Sequence, residues 1–225
     1  MYYIIPTKKG LGIELWGSYD DLRNIYEVVF KFWNNENYIN KKGFDTREDI
    51  LSGFSFLIRK GYEGSMLKRT GSHFSPGNNE YFGCQISWTH FIFSLAALRF
   101  NMKYSETNKF DISTILQLEY WLENSMKSYD KTGATQLEKF IDGGIYEGNE
   151  FLYQFMRSIN AEYFLLGGGK KAFRKLPELL KRGVLSSKEY ELYLSFLDSE
   201  SKRLNCKISN LELSDNFIDY DNLKW

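Results

Sequence analysis

The sequence predicts an α+β fold: a small antiparallel sheet at the N-terminal end, packed on a larger, mainly helical portion. Three observations carry this expectation. The run Gly12-Ile13-Glu14-Leu15-Trp16-Gly17-Ser18-Tyr19-Asp20-Asp21-Leu22-Arg23-Asn24-Ile25-Tyr26 reads as a half-buried strand, a capped corner and an amphipathic helix. Tyr81 to Trp88 alternates, with Phe82, Cys84, Ile86 and Trp88 on one face and Tyr81, Gly83, Gln85 and Ser87 on the other. From Thr89 onward the apolar residues recur at helical spacing.

Taken in order, residues 2–6 and 11–16 form a predicted hairpin closed by Thr7-Lys8-Lys9-Gly10. Ser18 with Asp21 has capping-box spacing, and Leu22, Ile25, Tyr26, Val29, Phe32 and Trp33 then supply a face to pack on the hairpin. Thr46 with Asp49 repeats the spacing before Leu51, Phe54, Leu57, Ile58 and Tyr62. Residues 64–80, with Gly71, Ser72, Ser75, Pro76, Gly77, Asn78 and Asn79, read as a long irregular loop. Asp111 is the expected cap of a long helix bearing Ile115, Leu118, Leu122, Met126 and Tyr129, with Glu123 and Lys127 on its wet face. Shorter helices are expected near 134–142 and 149–166. Pro177 and Gly183 bracket another, and Ser186 with Glu189 opens a last one through Tyr190, Tyr193, Leu194, Leu197 and Leu204. The tail alternates weakly over Ile208 to Leu213 and turns acidic. With no repeat and no Pro- or Ser-rich linker, 1–225 reads as one domain: 1–104 with the strands, 105–205 helical and 206–225 an acidic tail.

Composition excludes more than it identifies. Twenty-nine basic residues balance 29 acidic ones, so no global field gathers nucleic acid or anionic lipid. The many Phe and Tyr residues, 18 and 16, are what an AT-rich bacterial genome writes alongside Asn, Lys and Ile, and they also suit a contact surface. Cys84 and Cys206 lack CxxC partners and suit a reducing cytoplasm. The start, Met1-Tyr2-Tyr3-Ile4-Ile5-Pro6-Thr7-Lys8-Lys9, lacks the order of a signal peptide, and the apolar run Phe91 to Leu98 is too short to span a bilayer. A cytoplasmic protein without membrane contact is expected.

Candidate chemistry is sparse. Asp130-Lys131-Thr132-Gly133 resembles the phosphorylated aspartate motif of P-type pumps, but it follows an amphipathic helix, and a helix end with Gly133 in a left-handed turn explains it. Gly167-Gly168-Gly169-Lys170 lacks the earlier glycine (position 164 is Phe) and the following Ser/Thr (position 171 is Lys) of a phosphate loop, leaving a flexible helix terminator. His73 reads as a solvated loop residue and His90 as a hydrogen-bonded residue at the core edge. The carboxylate pairs Glu119/Glu123 and Glu147/Glu150 lack the histidines of a metal site. No metal, cofactor or catalytic set is expected. One charge cluster stands out: Lys170, Lys171, Arg174, Lys175, Lys181 and Arg182 against the lone anion Glu178, a candidate binding patch whose bland reading is a solvated face over inward Phe173, Leu176 and Leu180.

The order Gly-Ile-Glu-Leu-Trp-Gly-Ser-Tyr followed by a capped helix (12–33), with Tyr81-Phe82-Gly83 before Trp88, resembles an uncharacterised bacterial protein family of about this length. The resemblance covers most of the chain and implies no activity, ligand or catalytic residue. The functional expectation is a non-enzymatic binding protein of the bacterial cytoplasm whose partner is another protein, masked as immunity proteins mask toxins. The alternative is an enzyme with a site assembled around residues 64–80 from His73, Glu119 or Arg99. Nucleic-acid binding through 170–182 ranks third, and oligomeric state stays open.

Overall fold

Strands β1 (Tyr3–Pro6) and β2 (Gly12–Gly17) form the expected hairpin, in register from Tyr3↔Trp16 to Pro6↔Ile13. The computed structural model describes residues 2–33, 36–71, 79–212, 215, 218–220 and 222–225. Helix α1 (Tyr19–Lys31) follows from a complete capping box: the Asp21 amide donates to Ser18 Oγ, and the Ser18 amide to Asp21 Oδ2. Leu22, Ile25, Val28 and Val29 are its buried face, whereas Tyr26 and Trp33 lie half-buried at its margin.

After a 3₁₀ turn (Glu36–Tyr38), α2 (Phe44–Tyr62) begins two residues before the expected Thr46 cap. Thr46 is inside the helix, its hydroxyl directed at Gly43 O and Asn149 O, at 3.3 and 3.2 Å, rather than at a backbone amide of the first turn, and Gly43 stands at the N-cap instead. The predicted loop at 64–80 is corrected in part. Residues Leu67–Gly71 form β3, paired antiparallel with β4 (Asn79–Ser87) from Leu67↔Gly83 to Gly71↔Asn79. β3 escaped the pattern because Lys68, Arg69 and Thr70 are all exposed, so no apolar alternation marks it. His73 lies outside the described residues.

The sheet order is β1-β2-β4-β3, all antiparallel, so the two segments expected as strands of one sheet, at 11–16 and 81–88, are central neighbours. Ile4, Ile13, Leu15, Cys84 and Ile86 turn inward to one apolar cluster shared with α1, α2 and α3 (Trp88–Met102). Helix α3 is buried almost all round, as its continuous apolar run requires. The other sheet face carries Tyr3, Trp16 and Tyr81, which take no part in that cluster.

Helix α4 (Lys109–Tyr129) is capped by Asn108 rather than Asp111. Asp111 is the third residue of that box, donating to the Asn108 side chain from its amide and accepting the Asn108 amide. Then come α5 (Lys131–Lys139), a π-helical turn (Phe140–Gly144), α6 (Leu152–Leu165), α7 (Gly169–Phe173), α8 (Leu176–Leu180), a 3₁₀ turn (Lys181–Gly183) and α9 (Lys188–Arg203). The cap of α9 is Ser187, not Ser186, because Ser186 is the reversal before it, at φ +61°. Of the tail alternation expected at Ile208 to Leu213, Ile208–Asn210 is a 3₁₀ turn and Leu213 lies outside the described residues. The main apolar cluster runs from Tyr2 to Ile218, and Phe155, Tyr190 and Leu197 form a smaller one between α6 and α9. Among the described residues no helix is long and apolar enough to cross a membrane.

Candidate functional site

The glycine run at the end of α6 has a structural use. Gly168 sits at φ +78°, and a Cβ on it would fall 2.4 Å from the Lys9 carbonyl. The next amide, Gly169 N–H, donates to that carbonyl at 2.6 Å. Tyr129 Oη donates to it as well, while Trp88 Nε1 and Tyr163 Oη donate to Gly10 O at 2.9 and 2.6 Å. The rings of Trp88, Tyr129 and Phe173 touch around this point. The hairpin turn is therefore anchored to α3, α4, α6 and α7, and the glycines allow the approach.

Asp130 also has a structural role, and the turn expected after α4 is corrected. Asp130 Oδ2 accepts the Gly133 amide at 3.0 Å as the N-cap of α5, and Gly133 is helical rather than left-handed. Both carboxylate oxygens also take the Arg174 guanidinium at 2.8 Å. The Arg174 fork and then the Gly133 amide hold this carboxyl down to about 2. A folded carboxyl that ionises below its unfolded range stabilises above that range, and loses the effect as pH falls toward 2. Asp130→Ala is expected to cost about 1–2 kcal/mol in urea melts at neutral pH, with the gap to wild type closing toward pH 2. A gap that stays constant with pH would refute the role of the charge.

The structure divides the basic segment. Lys170, Lys171, Arg174 and Lys175 are exposed, and Lys181 and Arg182 are half-buried. Arg174 is committed to Asp130, Lys181 to Glu178 at 2.6 Å, and Arg182 to Glu162 with its guanidinium over the Tyr193 ring. Phe173, Leu176 and Leu180 are buried, as the solvated-face reading requires.

Arg99 and Glu119, from α3 and α4, are joined by a two-pronged ion pair. Arg99 borders a groove of about 460 Å³ lined by Met102, Ile112, Ile115 and Leu116 together with Lys103, Asp142 and Glu147. None of the described residues between 64 and 80 lines it. Each carboxylate of the two pairs has a cation: Glu119 has Arg99, Glu123 shares Lys127 with Glu138, Glu147 has Lys103 and Glu150 has Lys42. Among the described residues no group of three or more His, Cys, Asp or Glu is placed to hold a metal. His90 sits beside Phe54 with Nε2 at 3.0 Å from Ile50 O, and burial pushes its pKa down. Both cysteines are free thiols, and burial pushes the Cys84 thiol up to about 12, which makes it unreactive.

A partly exposed row of rings runs along α1 and meets the end of α2. Tyr19 meets Tyr62 at 5.4 Å, Tyr62 meets Tyr26 at 5.6 Å, Tyr26 meets Phe30 at 5.8 Å and Phe30 meets Trp33 at 5.5 Å. Tyr19 is 43% exposed and Phe30 51%. Sequence reading placed Tyr26 and Trp33 on the packing face and passed over Tyr19 and Phe30. The available signal was the seven-residue spacing of Tyr19, Tyr26 and Trp33, which runs beside the buried stripe of Leu22, Ile25 and Val29.

A family model described as a domain of unknown function, DUF6904, matches residues 3–225. No curated protein and no solved structure matches the chain significantly.

Proposed function

For a chain that belongs to the DUF6904 family, we propose a non-enzymatic protein-binding role in the bacterial cytoplasm, in which it masks a partner protein as immunity proteins mask toxins. The observation that supports this most is the row Tyr19, Tyr62, Tyr26, Phe30 and Trp33. Tyr and Trp dominate the energetics of protein interfaces, because each removes a large rigid surface from water at small entropic cost. Arg23 and Glu27, on the same helix, pair with each other at 3.0 Å, so affinity at this face would come from ring burial rather than from charge. The enzymatic alternative has less support, since Arg99 and Glu119 are spent on each other. Nucleic-acid binding through 170–182 is weakened by the pairing of Arg174, Lys181 and Arg182.

The test is a capture from lysate of the source bacterium, followed by titration of the purified captured protein against wild type and a Tyr19→Ser/Phe30→Ser double variant. Two lost hot-spot rings should weaken binding about 100-fold or more, while the melting temperature changes little. The captured protein should also lose its toxicity to growing cells when wild type is co-expressed, and regain it with the variant. Equal affinity for wild type and variant would sink the proposal.

A further inference from the structure

We infer that Arg69 and the open edge of β3 form a docking site for an extended acidic segment of a partner protein. Among the described residues β3 is the last strand in the order β1-β2-β4-β3 and is paired on its β4 side alone. An edge strand of this kind offers backbone donors and acceptors to an added strand. Alternation along that strand would aim every second side chain at the face that carries Arg69.

Arg69 is set apart from the other arginines. Arg47 is buried among carbonyl oxygens, and the rest are held in ion pairs. Arg69 has no ion-pair partner among the described residues and is exposed. Rings from three strands position it: its guanidinium carbon lies 4.7 Å from the Trp16 centroid, 5.2 Å from Tyr3 and 5.6 Å from Tyr81. Trp16 is only 7% exposed although it lies outside the apolar cluster, so its cover comes from this face.

Stacking on rings fixes the plane of a guanidinium while leaving its in-plane donors unspent, the geometry that suits a carboxylate approached by its two oxygens. The charged neighbours do not use those donors. Glu14, on the same face, accepts Trp16 Nε1 at 2.9 Å and Gln85 Nε2 at 3.3 Å. Lys68 and Glu80 pair with each other at 2.7 Å. Among the described residues the site thus presents one oriented cation without an ion-pair partner, on the sheet face next to the last strand, and an acidic strand complements both features. This site is separate from the aromatic row on α1 and α2, and either can fail without the other.

The probe is a fluorescein-labelled peptide of about eight residues alternating Val and Glu, titrated at low salt against the full chain by anisotropy. Wild type should bind it more tightly than the matching Val/Lys peptide. Arg69→Gln should weaken binding about tenfold, Arg69→Glu more, and Arg69→Lys should recover part of the loss, with melting curves showing all three folded. Bound peptide should slow amide hydrogen exchange across residues 67–71. Equal affinity of Arg69→Gln, binding without protection of 67–71, or tighter binding of an oligothymidylate of matched charge would each overturn the inference, the last in favour of a nucleic-acid partner.

Discussion

Replacing Arg47 with methionine should destabilise the protein by about 2–4 kcal/mol, although methionine has similar length and no buried charge. Arg47 is fully buried. Its Nη1 donates to Lys42 O at 2.6 Å and Glu147 O at 2.9 Å, its Nε donates to Asn101 Oδ1 at 3.0 Å, and Phe100 lies 3.9 Å under the guanidinium. Asn101 in turn donates to Phe32 O, which also accepts Tyr38 Oη. One side chain therefore ties the connection before α2 to the end of α3 and to the turn before α6.

Two effects compete in this substitution. Burial pulls the Arg47 pKa down to about 10, a sign that the charge is costly where it stands, and removing it relieves that cost. Against this, three acceptors lose their donor inside the protein at about 1–3 kcal/mol each. The orphaned acceptors win, because Lys42 O and Glu147 O both depend on the one Nη1 group. Arg47→Lys should fail almost as badly, since an ammonium cannot span the three directions of the fork. Urea melts measure both. A methionine variant within ~0.5 kcal/mol of wild type would show that the hub is dispensable.

Gly12→Ala is expected to cost about 3 kcal/mol, the most damaging single methyl group in the sheet. A Cβ on Gly12 would lie 2.1 Å from Ile86 O and 2.6 Å from Ser87 Cα, both backbone atoms of the paired strand. No rotamer relieves a clash with backbone. The strands must separate where Gly12 pairs with Ser87, and Ser87 is the cap of α3, accepting the His90 amide. The damage would spread from β2 to the central helix. Gly71→Ala is the control, since its Cβ would meet only the Tyr81 ring, at 3.6 Å, an ordinary contact. Thermal melts of the two variants should differ widely. Similar melting temperatures would mean that the β2·β4 pairing opens at little cost.

The sequence by itself determined which segments are helix and which are central strand, because those properties follow from local spacing. Ser18 with Asp21 made a capping box whatever lay above it, and Ile13, Leu15, Cys84 and Ile86 alternated because one sheet face had to be dry. Boundaries were less legible. Thr46 and Asp111 carried cap chemistry, but each sits three residues inside its helix, behind Gly43 and Asn108 at the N-caps, and each also has a partner far along the chain, Asn149 O and Lys31. The glycines at 167–169 read as flexible, whereas Gly168 and Gly169 lie in close contact with Lys9, more than a hundred residues away. β3 and the ring cage of Arg69 left no periodic trace, since an edge strand with polar residues on both faces has no hydrophobic pattern to repeat. The candidate surfaces followed the same rule. The charge cluster at 170–182 was visible as composition, yet only the fold decided that Asp130, Glu178 and Glu162 would neutralise part of it and that Arg69 would sit among rings with no ion-pair partner among the described residues. Local order is written in short-range spacing, while pairing and exposure are set by long-range contacts that no window of sequence contains.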